Sequence, residues 1–263
     1  MKPAPVLKAT NLSVGYDGEP VLHGVSFEVR PREIFAILGG SGSGKTTILK
    51  TLIGILPPLA GELEIAGVSM TRSSAERWAQ VSRKLGVLFQ TGALLADLTL
   101  AENVMLPVRA QTDLPEPTAR ILACLKLSQV GLAEAESRFP NEISGGMRKR
   151  AGVARAMALD PPILVLDEPS SGLDPVTAAE LDELVLGLRR DLGITVLLVT
   201  HDLASTFAVA DRCILIDREV AGIRAEGVPA RLRDEHPDPA VRAFFRRQPP
   251  RPDGLEKGGP GGQ

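Results

Sequence analysis

Between Gly39 and Thr47 the chain reads GGSGSGKTT, four glycines and two serines ahead of a lysine and two threonines. The stretch fits G-x-x-x-x-G-K-[ST], a loop whose backbone N–H groups cradle phosphates. Glycines let the backbone curl around an anion without Cβ clashes. The N–H groups and partial positive charge at the start of a following helix then face that anion. The chemistry implied is binding of a nucleoside triphosphate such as ATP by Gly39, Gly40, Ser41, Gly42, Ser43, Gly44, Lys45, Thr46 and Thr47. In it Lys45 reaches the β/γ-phosphates and the Thr46 hydroxyl holds Mg2+. A plain Gly/Ser-rich turn is the competing reading, and Lys45 and Thr46 both in register count against it.

A second group lies downstream. Ile163–Glu168 reads ILVLDE, four apolar residues ending in two carboxylates. Asp167 is placed to bind Mg2+, directly or through water, and Glu168 to take a proton from an attacking water. Such a run is common by itself, and its position after a phosphate loop gives it weight. Between the two lies ISGGMRKR, Ile143 to Arg150, followed by AGVARAMAL. Ser144, Gly145 and Gly146 ahead of that predicted helix form another backbone-rich anion site.

These residues need elements to hold them. IFAIL (Ile34–Leu38), ILVLDE and TVLLVTH (Thr195–His201) are almost continuously apolar, as strands buried on both faces should be. Each ends in candidate functional residues, where ligands sit beyond the carboxyl ends of parallel strands. LGVLFQ (Leu85–Gln90) is a fourth strand, preceded by a helical stretch around Ser73–Lys84. The first thirty or so residues and GELEIAG (Gly61–Gly67) read as antiparallel strands, whereas Thr91–Pro161 is mostly helical. The expected fold is α/β: a parallel sheet covered by helices, with an N-terminal antiparallel β subdomain and an inserted α-helical subdomain.

Composition narrows the function class. With 30 basic and 32 acidic residues, the net charge of −2 gives no electrostatic argument for nucleic acid. Cys124 and Cys213 are too few for a disulfide framework or a zinc cluster, and are read as core or surface thiols. MKPAPVLKATNLSVGY lacks the apolar centre of a signal peptide, and no run approaches the roughly 20 residues that span a bilayer. The expectation is a soluble chain whose membrane role comes through partners. QPPRPDGLEKGGPGGQ, from Gln248, is expected to be a disordered tail.

From about Val6 to Arg247, as a single domain, the sequence resembles the ATP-binding subunits of ABC transporters, with their P-loop NTPase core. The family signature is usually written LSGGQ; here Ile143 and Met147 replace its ends and the Ser-Gly-Gly centre is intact. The resemblance implies that Tyr16 stacks on adenine and that Gln90 senses Mg2+ and the attacking water. His201 would contact the γ-phosphate, and SGLD (Ser171–Asp174) would cross between paired subunits. It further implies a homodimer enclosing two ATP molecules. In it Ser144, Gly145, Gly146, Met147 and Asp174 of the partner subunit complete each site, and Lys45, Glu168 and His201 are catalytic. Arg155 is expected to be structural support and Trp78 a packing residue; His23 and His236 are expected at the surface.

Two local features are similar to the ATPase subunits of Mla/Mce lipid-transport systems: GAL just after Gln90, and SGGM followed by RKR. PDPAVRAFF (Pro237–Phe245) is similar to the end of those chains. The resemblance implies phospholipid moved between inner and outer membranes, with an integral membrane permease, an MCE-domain lipid-binding protein and a small regulatory cytoplasmic subunit as partners. The chain would then lie on the cytoplasmic face of the inner membrane. An importer subunit for amino acids or another small solute shares every catalytic residue and remains open. So does a non-transport ABC ATPase, although such proteins usually carry tandem units or a long coiled-coil insertion.

Overall fold

The computed structural model describes residues 3–70 and 75–248. The expected tail from residue 249 onward, and the first two residues of the helical stretch at Ser73–Lys84, lie outside them.

The chain opens with β1 (Leu7–Tyr16) and β2 (Glu19–Val29), a hairpin, then β3 (Ile34–Gly39), α1 (Lys45–Leu52), β4 (Ala60–Ile65) and β5 (Val68–Ser69). There follow α2 (Ala75–Ser82), β6 (Leu85–Leu88), α3 (Leu100–Gln111), α4 (Glu116–Gln129), α5 (Gly145–Ala156) and β7 (Ile163–Asp167). The last elements are α6 (Pro175–Leu192), β8 (Thr195–Val199), α7 (Leu203–Val209), β9 (Arg212–Asp217), β10 (Gly222–Gly227), α8 (Pro229–Asp234) and α9 (Pro239–Phe245).

Two sheets result. One is antiparallel in the order β2-β1-β4-β5; the other runs β10-β9-β3-β8-β7-β6. In the second, β9, β3, β8, β7 and β6 are parallel; the apolar runs predict β3, β8, β7 and β6, while β9 was not among the expected strands. The edge strand β10 is antiparallel to β9 and was not expected: it comes from a hairpin whose strand, GIRAEG, is too polar to read as core.

The central strands divide two cores between them. Side chains alternate across a pleated strand, so a strand covered on both faces must be apolar throughout. In β3, Ile34, Ala36 and Leu38 join the core shared with α3–α6, while Phe35 and Ile37 face the antiparallel sheet and α1. In β7, Leu164 and Leu166 go one way and Ile163 and Val165 the other; β8 splits Val196 and Leu198 from Leu197 and Val199 in the same manner. Phe27 of β2 stacks on Phe35 at 5.5 Å between ring centroids, tying the antiparallel sheet to the larger one. Because β3, β8, β7 and β6 run parallel in adjacent positions, their carboxyl ends form one continuous edge.

Capping fixes where the covering helices begin. Thr99 and Glu102 form a reciprocal capping box at α3. Asp174 accepts from the amides of Val176 and Thr177 at the start of α6, with Pro175 at the first helical position. Gly193 closes α6. Among the described residues no helix is long and apolar enough to cross a membrane.

Candidate active site

The phosphate loop leaves β3 at Gly39 and enters α1 at Lys45, the strand–loop–helix order the motif requires. Gly44 caps α1 at φ +101, and a methyl placed there would lie 2.8 Å from Leu22 Cγ. Only glycine satisfies both conditions. Lys45 folds back over the loop: its Nζ donates to Gly39 O at 2.8 Å and to Gly40 O at 2.9 Å. Burial pulls the Lys45 ammonium below its usual pKa, and the nearby carboxylates of Glu168 and Asp167 push it back up. Ser43 Oγ is buried and, among the described residues, has no hydrogen-bond partner. A hydroxyl in that position suits an anion seated in the loop, which would satisfy it.

Four loops converge on the same edge. Glu168 directly follows β7 with φ +45, a left-handed backbone that costs a non-glycine residue energy and is concentrated at functional sites. Its carboxylate is buried, with Oε2 accepting from Thr200 Oγ1 at 3.1 Å and Oε1 lying 2.7 Å from His201 Nδ1. His201, just beyond β8, is otherwise exposed. A cavity of about 570 Å³ opens beside the pair, lined by Glu168, Ser170, Ser171, His201, Asp202 and Arg247 among others. Gln90, after β6, is exposed and its Nε2 lies 3.5 Å from Ser171 Oγ. Burial lifts the Asp167 carboxyl above its usual range and the Glu168 charge lifts it further, while Lys149 and Lys45 oppose this.

Tyr16, at the end of β1, is brought to the loop as expected from its place in the sequence. It is 40% exposed, with Lys50 Nζ over its ring at 5.6 Å from the centroid. A hydrogen bond from Thr47 lowers its pKa, and Lys50 Nζ lies 3.4 Å from the phenol oxygen.

The signature segment sits elsewhere in the chain, at the start of α5. Ser144 is exposed and caps the helix, its Oγ accepting from Met147 N at 3.2 Å. Gly146 is buried against α6, and a methyl there would meet Thr177 Cγ2 at 2.4 Å. The Met147 side chain packs against the helical core, and Asp174 spends both oxygens on the α6 cap. Neither Ser144 nor Gly145 lines the cavity beside Glu168 and His201.

Supporting residues have more definite places than their sequence context gave them. Arg155 donates to Gly92 O at 2.8 Å and also to Ala93 O. Trp78 packs against the core under the antiparallel sheet, and His23 is exposed. His236, expected at the surface, is half-buried because its Nδ1 accepts from Asp238 N and so holds the turn into α9. Asn103 carried no recognisable signal: it is fully buried and its side chain bonds Leu95 N, Leu95 O, Leu98 O and Thr99 O, fixing the loop after Gln90. Cys213 is buried, which pushes its thiol up to about 12, and Cys124 donates to Glu136.

Residues 22–171, more than half of the chain, match the family model for the ABC transporter. The chain belongs to the ABC transporter family. Its relatives include the intermembrane phospholipid transport system ATP-binding protein MlaF of Escherichia coli strain K12, 38% identical over 86% of this chain and 82% of MlaF. The probable ribonucleotide transport ATP-binding protein mkl of Mycobacterium leprae is 36% identical over 95% of this chain and 72% of mkl. Among solved structures, a dimeric post-hydrolysis state of the ATP-binding cassette MJ0796 bound to ADP and Pi superposes with a TM-score of 0.75. It has 29% identity and covers 84% of this chain and 98% of that one. The cbiO1 protein of Clostridium perfringens, part of an ABC transporter complex, gives a TM-score of 0.80 at 26% identity, covering 88% of this chain and 91% of that one. The chain is thus an ABC ATPase with a nucleotide-binding P-loop core.

Proposed function

We propose that two copies of this chain enclose two ATP molecules and hydrolyse them to drive phospholipid transport between the inner and outer membranes. The observation that carries the hydrolytic half is the contact of buried Glu168 with exposed His201 at 2.7 Å, held on the same sheet edge as the Lys45 loop. Glu168 takes the proton of the attacking water, and His201 orients the γ-phosphate. Lys45 and the amides of Gly39–Thr47 stabilise the charge that develops on the phosphate oxygens. Tyr16, exposed beside the loop, receives adenine on its ring.

The donor set suits Mg2+. Thr46 is exposed, Asp167 stands at the end of β7 and Gln90 two residues beyond β6, all three hard oxygen donors. Among the described residues no three His, Cys, Asp or Glu side chains group as a metal cage. Mg2+ is commonly held that way, by one or two side chains with water and phosphate oxygens completing its shell. Bound there it would neutralise β/γ-phosphate charge.

Ser144, Gly145 and Gly146 of the partner subunit would cap each nucleotide. The reason is physical: an exposed helix start with free amides is an anion site, and in one chain it does not line the cavity at Glu168. Closing the dimer over ATP makes nucleotide part of the interface, so ATP favours the closed state and hydrolysis releases it.

The cargo reading rests on the likeness to MlaF, together with the GAL and SGGM features of the sequence. A groove of about 380 Å³ beside Gln90, lined by Leu85, Val87, Phe89, Ala93 and Pro107 among others, supports docking of an integral permease. Leu95 on the same loop is 51% exposed, whereas Leu94 packs into the helical core. The complex would include an MCE-domain lipid-binding protein and a small regulatory subunit, with this chain on the cytoplasmic face of the inner membrane. Capture of the tagged chain from detergent-solubilised membranes, followed by lipid analysis, tests this. Phospholipid enriched with a permease and an MCE-domain protein supports it. A small-solute-binding protein in their place, with no lipid, contradicts it and favours the nucleotide cargo in the name of the mycobacterial relative.

A further inference from the structure

Arg148, Lys149 and Arg150 are consecutive basic residues on α5, and only the middle one is buried, at 6% exposure. Its ammonium donates to Gln90 O and, at 3.1 Å, to Glu168 O. The two residues belong to different loops, one after β6 and one after β7, and each is central to the hydrolytic reading above. The same helix grips the continuation of the first loop through Arg155, bonded to Gly92 O and Ala93 O. Its first residues are the signature itself, Ser144–Gly146, five residues and so about 7 Å of helix from Lys149.

Burying an ammonium is a poor way to fill space. Burial drives the Lys149 pKa below its usual value, opposed by the charges of Asp167 and Glu168. Apolar side chains of similar volume serve packing as well or better. A charge kept here, on the Gln90 carbonyl and on the Glu168 carbonyl that also accepts from Ser171 N at 3.1 Å, joins two loops that lie outside helix and strand, and so points to placement of those loops.

We propose that Lys149 is a positioning residue: it fixes Gln90 and Glu168 to α5, so that the seating of the signature end on nucleotide is transmitted to the water-activating residues of the same chain. The proposal rests on the assignment of Glu168 as base. Because α5 would meet the nucleotide on the partner's loop at its start, as proposed above, and holds the hydrolytic loops along its side, nucleotide contact and Glu168 placement become linked, and linkage is reciprocal for binding.

The test compares Lys149→Met, Lys149→Gln and Lys149→Arg in the purified full chain, with thermal melts to verify folding. A small displacement of a positioned group costs up to about 100-fold in rate, so Lys149→Met should lower kcat about 10- to 100-fold with KM for ATP within about 3-fold. Lys149→Arg, whose fork can serve both carbonyls, should retain most of the activity. Combined with Glu168→Gln, Lys149→Met should cost less than it does alone, because part of its effect acts through the Glu168 carboxylate. Should Lys149→Met fail to fold, Lys149→Gln, which keeps amide donors without the charge, carries the same test with a smaller loss. Wild-type kcat in a folded Lys149→Met or Lys149→Gln protein, alongside an inactive Glu168→Gln, would overturn the proposal and leave the proposed function standing. Equal losses in the Arg and Met variants would assign the effect to packing and overturn it too. Wild-type turnover in Glu168→Gln would instead remove the reading on which it rests.

Discussion

Glu168→Gln should separate nucleotide binding from turnover, and the hydrogen bonds around the carboxylate say why. Oε2 accepts from Thr200 Oγ1 at 3.1 Å and from His201 N at 3.4 Å. In the variant those two donors fix the amide oxygen at the same place. The amide NH2 then faces His201 Nδ1, 2.7 Å from Oε1 in the native pair, and donates to it when that nitrogen is unprotonated. The replacement is isosteric and leaves no buried polar atom unpaired. Bonds to a charged acceptor become bonds to a neutral one, a loss of about 1 kcal/mol each. Relief of the repulsion between Glu168 and Asp167 offsets part of this. What disappears is the base, worth about 10²- to 10⁴-fold in rate, or roughly 3–5 kcal/mol of barrier. Phosphate release under saturating ATP should fall by that factor, while calorimetric ATP affinity stays within about 3-fold, under 1 kcal/mol. A variant that hydrolyses within tenfold of wild type would refute the assignment. Loss of ATP binding would refute the isosteric argument.

Two further outcomes follow from geometry and charge. Gly146→Ala puts a methyl 2.4 Å from Thr177 Cγ2. Overpacking of about 1–3 kcal/mol, set against about 1 kcal/mol of helix propensity, leaves a net loss of up to about 2 kcal/mol. Adding Thr177→Ser removes the opposing methyl and keeps the hydroxyl that bonds Asp174, so chemical denaturation of the double variant should show recovery; none would mean the contact is not the cause. Asp182 on α6 is raised to about 6, chiefly by burial, with Ser205 lowering it and the Asp202 and Glu183 charges adding to the rise. The native state therefore holds this proton more tightly than the unfolded chain, whose Asp titrates near 3.9; the stabilisation is complete below about pH 4 and lost as pH rises through 6. Asp182→Asn should match wild type in thermal melts at about pH 4 and exceed it at about pH 7.5. An equal gap at both would exclude the titration.

The site was legible where chemistry and strand burial coincide in a short window. β3, β7 and β8 each combine an unbroken apolar run with functional residues at the end, so Lys45, Asp167, Glu168 and His201 could be placed on one edge before any coordinates. What stayed hidden depends on direction around a helix or on distant partners. Arg148, Lys149 and Arg150 entered the sequence reading only as the RKR after SGGM, and successive positions on a helix point about 100° apart. Arg148 bonds Ile143 O, Lys149 is buried against Gln90 and Glu168, and Arg150 reaches Glu180. Asn103 looks like an ordinary helix residue until its four bonds to the 95–99 loop are seen. At the β9–β10 edge, Arg212 and Arg224 are neutralised by Glu33, Glu226, Asp217 and Asp238, and the Arg212–Glu33 pairing spans 179 residues, beyond any local window.

The central claim is that each ATP lies between the phosphate loop of one copy and the signature of the other. Mixing Lys45→Ala protein with Ser144→Glu protein tests it directly. Each variant alone has both sites broken, and Ser144 is exposed, so the Glu side chain fits the single chain. In a shared-site dimer the mixed pair collects both defects in one site and leaves the other intact. With random pairing, half the dimers are mixed and each keeps one of two sites, so the equimolar mixture should recover up to about a quarter of wild-type ATPase activity, lowered to the extent that Lys149 links the altered signature to Glu168 of the same chain. Activity no higher than the mean of the two separate variants would mean that each chain builds its site alone, and the account would be wrong.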